Sequence, residues 1–447
     1  MAMFYVKNIA PYGEELCDLR IANGRIAGIY PAGSDNNEAG DEVIDGRGYI
    51  ALPGLVDLHT HLRQPGREGA ETVLTGSRAA ARGGYTCIHA MANTDPVQDT
   101  AGVVEQVYNL GREAGLTQVR VVGAVSAGLQ GEKLAELGAM HASAAQVNYF
   151  SDDGQCVADP VLMRRALEYV KAFDGVIAQH AQDPRLTQGA QMHEGCVSAR
   201  IGLAGWPAVA EESIIARDCL LAQHVDSRLH VLHASTRGSV ELIRWAKSQG
   251  IRVTAEATPH HLSLDHSEAE SYDPLFKVNP PLRTREDIAA LRAGLADGTI
   301  DTVGTDHAPH PAESKDCEWS AGSFGMTGLE TALSVIHETM VDTGLLDWRG
   351  VARVMSENPA RIAGCDDQGR PIAVGEPAHL VIYNPNIRYV VDPAKQATKS
   401  ANCPWRGREL TGQVVYTFYE GRLVVREGAV VAPESQGSDL HGEGKEN

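Results

Sequence analysis

The side chains with chemical potential in this sequence recur in one position, just after short apolar runs. Leu55-Val-Asp-Leu58 leads into His59-Thr-His61-Leu-Arg63, and Tyr85-Thr-Cys-Ile88 into His89-Ala-Met-Ala-Asn93. Gln146–Phe150 is followed by Ser151-Asp152-Asp153-Gly154, Gly175–Ala178 by Gln179-His180, and Leu229–Leu232 by His233-Ala-Ser235. Ile251–Thr254 precedes Thr258-Pro-His260-His261, and Thr302-Val303 precedes Thr305-Asp306-His307-Ala-Pro-His310. His59 and His61 stand two apart, and on a strand such residues face the same side, so their imidazoles can grip one ion. His180, His233 and Asp306 end runs that apolar or small residues would otherwise close. Imidazoles and carboxylates gathered in one pocket need a partner for their lone pairs, and a divalent ion supplies it. That ligand set suits Zn²⁺ best, with Mn²⁺ or Co²⁺ also compatible. Four histidines with two carboxylates exceed what one tetrahedral ion needs; two Zn²⁺ ions bridged by a carboxylate use them all. Asp153 is the natural bridge and Asp152 competes for that place, the other being a turn or capping residue before Gly154.

These residues meet only if the runs are strands that converge. Between the runs lie apolar residues at helical spacing: Val103, Val107 and Leu110; Ile214, Ile215 and Leu221; Val240, Ile243 and Ala246. Repeated strand–helix units over about 250 residues predict an α/β fold, a (β/α)₈ TIM-type barrel whose strand ends share one mouth. A doubly wound sheet also alternates, but its first strand should run into a Gly-rich phosphate turn, and here it runs into histidines. Both ends of the chain read as β-hairpins: Asn23-Gly24 lies between Ile21 and Ile26, and Glu420-Gly421 between Val414–Phe418 and Leu423–Val425. They predict a small β-sandwich domain built from both termini. The expected boundaries are 1–52 and 365–433 for that domain, 53–364 for the barrel and 434–447 for a disordered tail.

The totals narrow the partners. The chain has 447 residues and a net charge of −19. No basic surplus exists to bind nucleic acid or an anionic membrane, whereas an anionic small substrate is compatible with a locally positive cleft. The 8 cysteines are scattered without a C-x-x-C pair, as in a reduced cytoplasmic protein. The opening residues MAMFYVKNIA are not expected to act as a signal peptide, and no apolar run reaches membrane length.

Taken together, several strings resemble the dihydroorotase family, in its larger bacterial form (type I). They are Pro53-Gly-Leu-Val-Asp-Leu-His59-Thr-His61-Leu-Arg63-Gln-Pro-Gly66, Met91-Ala-Asn93-Thr, Ser198–Leu203, Pro207–Glu212, Thr258–Leu262, Lys277-Val-Asn279-Pro-Pro-Leu-Arg283 and Gly304-Thr-Asp306-His-Ala-Pro309. The match runs from the N-terminal strands to Glu357-Asn-Pro-Ala360 and the closing β-rich end. Gln64, the lysine-free stretch Arg67–Glu71 and His379 depart from the usual pattern. The resemblance implies a zinc amidohydrolase of pyrimidine biosynthesis that interconverts N-carbamoyl-L-aspartate and L-dihydroorotate. Other cyclic amidohydrolases, such as hydantoinases and allantoinases, are the nearest alternative, and a silent scaffold homologue a more distant one.

The resemblance also assigns roles. His59, His61, Asp153, His180, His233 and Asp306 hold the metals, with Asp153 in the bridging place that related enzymes give to a carboxylated lysine; 147–155 contains no lysine. Asp306 is the catalytic proton shuttle. His61, Arg63, Asn93, Asn279, His310 and the backbone of Phe324-Gly325 contact substrate. Arg63 suits a carboxylate because its planar fork binds both oxygens. A homodimer and an association with an aspartate carbamoyltransferase are the partner expectations.

Overall fold

A computed structural model describes residues 3–431; the expected tail at 434–447 lies outside the described residues. Eight short parallel strands occupy the centre. The first three, Leu55–Thr60, Tyr85–Ala90 and Gln118–Val121, pair in order. The other five, Tyr149–Phe150, Val176–Gln179, Arg228–Val231, Val253–Ala257 and Thr302–Val303, also pair in order. Single parallel bridges join Gly123 to Phe150 and Thr60 to His307, one at each margin of the two sheets. Val56, Leu58, Cys87, Tyr149, Val176 and Leu232 pack together inside, with Ala360, Ile362 and Cys365 from the last helix, Asn358–Ala363, and the residues after it.

Two strands are shorter than their apolar runs. Gln146 adopts a positive φ of 47° and the Val147 N–H donates to Met140 O, so Gln146–Asn148 closes the preceding helix and only Tyr149-Phe150 pairs. Likewise the Ile251 N–H returns to Ala246 O, and the strand begins at Val253.

Helices cover the outside. In Arg237–Ser248 the side chains of Val240, Ile243 and Ala246 are buried, as their spacing predicts. In Ala101–Ala114 the buried stripe is Val104, Val107, Gly111 and Ala114, and Val103 and Leu110 are only half-buried. A Cβ on Gly111 would lie 2.4 Å from Val119 Cβ. The helix therefore approaches its strand through a bare glycine, which turns the stripe away from Val103. Val209–Val225 buries Ile214 and Ile215 but leaves Leu221 half-buried, because Cys219 and Ala222 face inward instead.

Nine further strands from the two ends form one mixed sheet. Ile50–Pro53 pairs in parallel with Met3–Pro11 on one side and antiparallel with Leu380–Val390 on the other, so that junction strand runs one residue past 52. Both hairpin turns form with left-handed residues: Asn23 and Gly24 at φ 52° and 77°, Glu420 and Gly421 at 52° and 70°. Phe4 and Phe418 meet edge to face at 5.1 Å although two strands separate theirs in the sheet, so the sheet folds over a shared apolar core. Among the described residues no helix is long and apolar enough to cross a membrane.

Candidate metal centre

The first strand brings His59 and His61 to its C-terminal end, and the fourth, fifth, sixth and eighth deliver Asp153, His180, His233 and Asp306 to the same place. Asp153 lies between two pairs of histidines. Its Oδ2 is 3.3 Å from His59 Nε2 and 3.2 Å from His61 Nε2. Its Oδ1 is 3.2 Å from His180 Nδ1 and 3.3 Å from His233 Nε2. Asp306 Oδ1 stands 3.2 Å from His61 Nε2 and 3.4 Å from His59 Nε2. Asp152 points elsewhere: it accepts hydrogen bonds from the Val125 N–H, the Ser126 N–H and the Ser126 hydroxyl, and so anchors a neighbouring loop.

The outer nitrogens of these rings are already committed. His59 Nδ1 is 2.6 Å from Glu256 Oε1, His61 Nδ1 is 2.9 Å from Asn93 Oδ1, and His180 Nε2 is 2.8 Å from Gln182 Oε1. Each faces an oxygen that only accepts, so each carries the proton. The inner nitrogens therefore present lone pairs to carboxylates and to one another: His180 Nδ1 and His233 Nε2 lie 2.8 Å apart. His59 Nε2 is fully buried and has no hydrogen-bond partner. Lone pairs converging from two carboxylates and four imidazoles are a donor set that fits a metal cation. The triads His59–His61–Asp153 and Asp153–His180–His233 each hold their ligand atoms within 4.8 Å. The electrostatics show that the carboxylates draw positive charge, a proton or a cation, onto this cluster. Burial opposes every charge here, yet His59 is raised well above the imidazole range by Asp153, Glu256 and Asp306. Asp153 and Asp306 are held below the carboxylate range by the facing histidines despite the same burial.

Two residues behind the cluster were not anticipated from the sequence. Glu256, buried within the seventh strand, also accepts from the His233 backbone N–H at 3.1 Å. That bond holds His233 at φ 31°, an unfavourable conformation for a side-chain-bearing residue. Gly304 makes room, since a Cβ there would sit 2.4 Å from Glu256 Oε2. Asp57 accepts from the His59 and Thr305 N–H groups and the Thr60 hydroxyl, tying the first strand to the eighth. A clue to Glu256 existed: it is a lone acid between Ala255 and Ala257.

A cavity of about 350 Å³ opens over the cluster. His61, Arg63, Asn93, Asn279, His310, Phe324 and Gly325 all line it, with Asp153, His180 and Asp306, whereas His59 and His233 lie beneath its wall. Arg67, Leu129 and Gln155 also line it and were not foreseen. Arg63 is buried, which lowers it to about 10, so it stays charged at neutral pH. Its Nε donates to Pro309 O at 3.1 Å, leaving the far end of the guanidinium for the cavity. His310 Nε2 donates to Phe324 O at 2.8 Å, and burial first, then Arg63, lowers the imidazole to about 3, so it is neutral. Gly325 has φ 138° and no room for a side chain, since a Cβ would lie 2.8 Å from Ala308 Cβ. Asn279 donates to Gln182 Oε1 at 3.0 Å, and its own Oδ1 is unpartnered.

Comparison with known proteins is consistent with this geometry. The family described as "Dihydro-orotase-like" matches residues 48–239. A dihydroorotase of Streptomyces coelicolor is 64% identical over 90% of this chain and 94% of that relative. One of Mycobacterium tuberculosis is 54% identical over 96% of this chain and 99% of that relative. Among solved structures, the L-hydantoinase (dihydropyrimidinase) of Arthrobacter aurescens superposes with a TM-score of 0.85 at 28% identity, covering 96% of this chain and 98% of that one. The chain belongs to the dihydroorotase family of the amidohydrolase superfamily.

Proposed function

We propose that this protein is the dihydroorotase that its relatives' names describe, opening L-dihydroorotate to N-carbamoyl-L-aspartate and closing it in reverse, for pyrimidine biosynthesis. We infer that the eight parallel strands close into a barrel at 53–364, a reading supported by the two marginal bridges. The folded-over terminal sheet supports a small sandwich domain from 1–52 and 365–433.

His59, His61, Asp153, His180, His233 and Asp306 would hold two Zn²⁺ ions. When bound there, divalent ions would supply Lewis acidity that favours water ionisation at neutral pH and polarises the scissile carbonyl. The chain's own groups do the rest. Asp306, on the cavity wall, takes the proton from the attacking water and delivers it to the departing ring nitrogen. Arg63 clamps the substrate carboxylate. Asn93, whose Oδ1 is held by His61, donates through its amide. Asn279, His310 and the backbone of Phe324-Gly325 complete the contacts. A cytoplasmic location fits eight cysteines that are all free. A homodimer, and contact with an aspartate carbamoyltransferase, complete the proposal.

One observation carries this reading: a buried, charged Arg63 shares a cavity with the carboxylate–imidazole cluster. It favours an anionic cyclic amide over the neutral rings that a hydantoinase takes. Turnover of dihydroorotate, hydantoin and allantoin by the purified chain, with its metal content measured, is the test. Activity on the neutral rings alone refutes the assignment.

A further inference from the structure

The interior of the parallel strands carries a second set of ligand-type side chains that the reaction does not use. Cys87 and His89 lie two apart on the strand Tyr85–Ala90, and Cys365 follows the helix Asn358–Ala363. Their two sulfurs and one ring nitrogen lie within 4.8 Å of one another, and all three residues are buried. His89 Nδ1 is 2.9 Å from Asp57 O, which only accepts, so that nitrogen carries the proton and Nε2 is left as a lone pair. Nε2 faces Cys365 Sγ at 3.9 Å. A histidine fixed through one nitrogen by a carbonyl, with the other turned to a thiol that would give up its proton to a cation, has the orientation of a metal ligand. The thiols face each other as free cysteines. Cys365 donates its S–H to His89 Nε2, and the Cys87 thiol, against burial, helps hold the Cys365 thiol below its usual range, whereas burial pushes Cys87 up.

We propose that Cys87, His89 and Cys365 supply three ligands of a Zn²⁺ site, separate from the catalytic centre, that ties the second strand to the end of the last helix. Thiolate and imidazole together select this kind of ion. With Zn–S near 2.3 Å and Zn–N near 2.0 Å, tetrahedral ligands stand roughly 3.6 Å apart. The 3.9 Å gap between Cys365 and His89 is close to that already. Two thiolates and Zn²⁺ make a neutral unit, the form that an apolar interior tolerates. Both thiol protons leave to solvent on binding, and because the residues are buried, the ion enters as the chain folds.

The experiment uses the full chain produced in Co²⁺-supplemented, Zn²⁺-depleted medium. The catalytic ligands include no sulfur, so thiolate-to-Co²⁺ charge-transfer absorption in the near ultraviolet that is present in the wild type and lost in Cys365→Ser reports this site rather than the other six free cysteines. The expected result is that band in the wild type, and one more ion per chain than in Cys365→Ser, which loses intensity in the band and keeps its turnover of dihydroorotate. A cobalt-loaded, active wild type without the band overturns the proposal. So does an equal metal count in wild type and variant. If Cys365→Ser does not fold, the absence of the band from the wild type alone still overturns the proposal.

Discussion

Glu256 is the sharpest place to test how the metal centre is held. Its carboxylate accepts from His59 Nδ1 at 2.6 Å and from the His233 N–H at 3.1 Å, and lies 3.4 Å from His230 Nε2. Burial would raise it, but His59 and His230 pull it down to about 2, so it is a carboxylate at any working pH. Glu256→Gln keeps the shape and an acceptor oxygen but removes the charge. A hydrogen bond to a charged group contributes about 1.5–3 kcal/mol and a neutral one about 0.5–1.5. The difference of about 1–1.5 kcal/mol acts on His59, one of the proposed ligands, and amounts to roughly a tenfold loss of metal affinity, at the low end of the range for such partners. Competition with a chromophoric chelator measures it. With saturating metal, kcat should recover more than the affinity does. Glu256→Ala goes further: it strands two buried donors at about 1–3 kcal/mol each and should lower the melting temperature as well. Metal affinity within twofold of wild type in Glu256→Gln refutes the claim that this carboxylate sets His59's strength as a ligand.

Other consequences can be checked alongside. Asp306→Asn should lower kcat by about 10²–10⁴ while KM changes little, and steady-state kinetics with less than a tenfold loss would exclude it as the proton carrier. Arg63→Lys gives up the planar fork, so KM for dihydroorotate should rise roughly tenfold or more, with no matching change for a cyclic amide that lacks a carboxylate; equal effects on both rings would remove Arg63 from carboxylate recognition. Glu330 tests the fold rather than the site. Its side chain is 5% exposed and lies 3.2 Å from Arg82, yet burial outweighs that neighbour and raises it to about 7. The folded state therefore holds an extra proton between about pH 4.5 and 7, and stability should fall as pH rises through that window, by at most about 3 kcal/mol. Glu330→Gln should flatten that slope in denaturant titrations, and an unchanged slope would contradict it.

The sequence shows the six proposed ligands because they obey one rule: each stands at the end of an apolar strand, where a polar side chain is out of place unless it faces a shared mouth. The same rule brings Arg63, Asn93 and His310 into view. It fails where the answer depends on direction rather than position. Asp152 and Asp153 are adjacent carboxylates, and only the N–H groups of Val125 and Ser126, distant in sequence, turn the first away and leave the second to the histidines. Val103 and Val104 are as alike, and the glycine at 111 decides between them. The rule also stops at residues inside strands. Asp57 and Cys87 lie within apolar runs, and Glu256 and His89, which follow theirs in the sequence, still fall inside the strands Val253–Ala257 and Tyr85–Ala90, where strand periodicity counts them as noise. A buried polar group is costly unless something answers it, so each such interruption implies a partner that the linear sequence does not name. For Glu256 and Asp57 the fold supplies that partner in the metal-facing histidines and the eighth strand. For Cys87 and His89 it supplies Cys365, and two thiols and an imidazole nitrogen held within 4.8 Å of one another in an apolar interior are the donor set that the cobalt spectrum is designed to test for a cation.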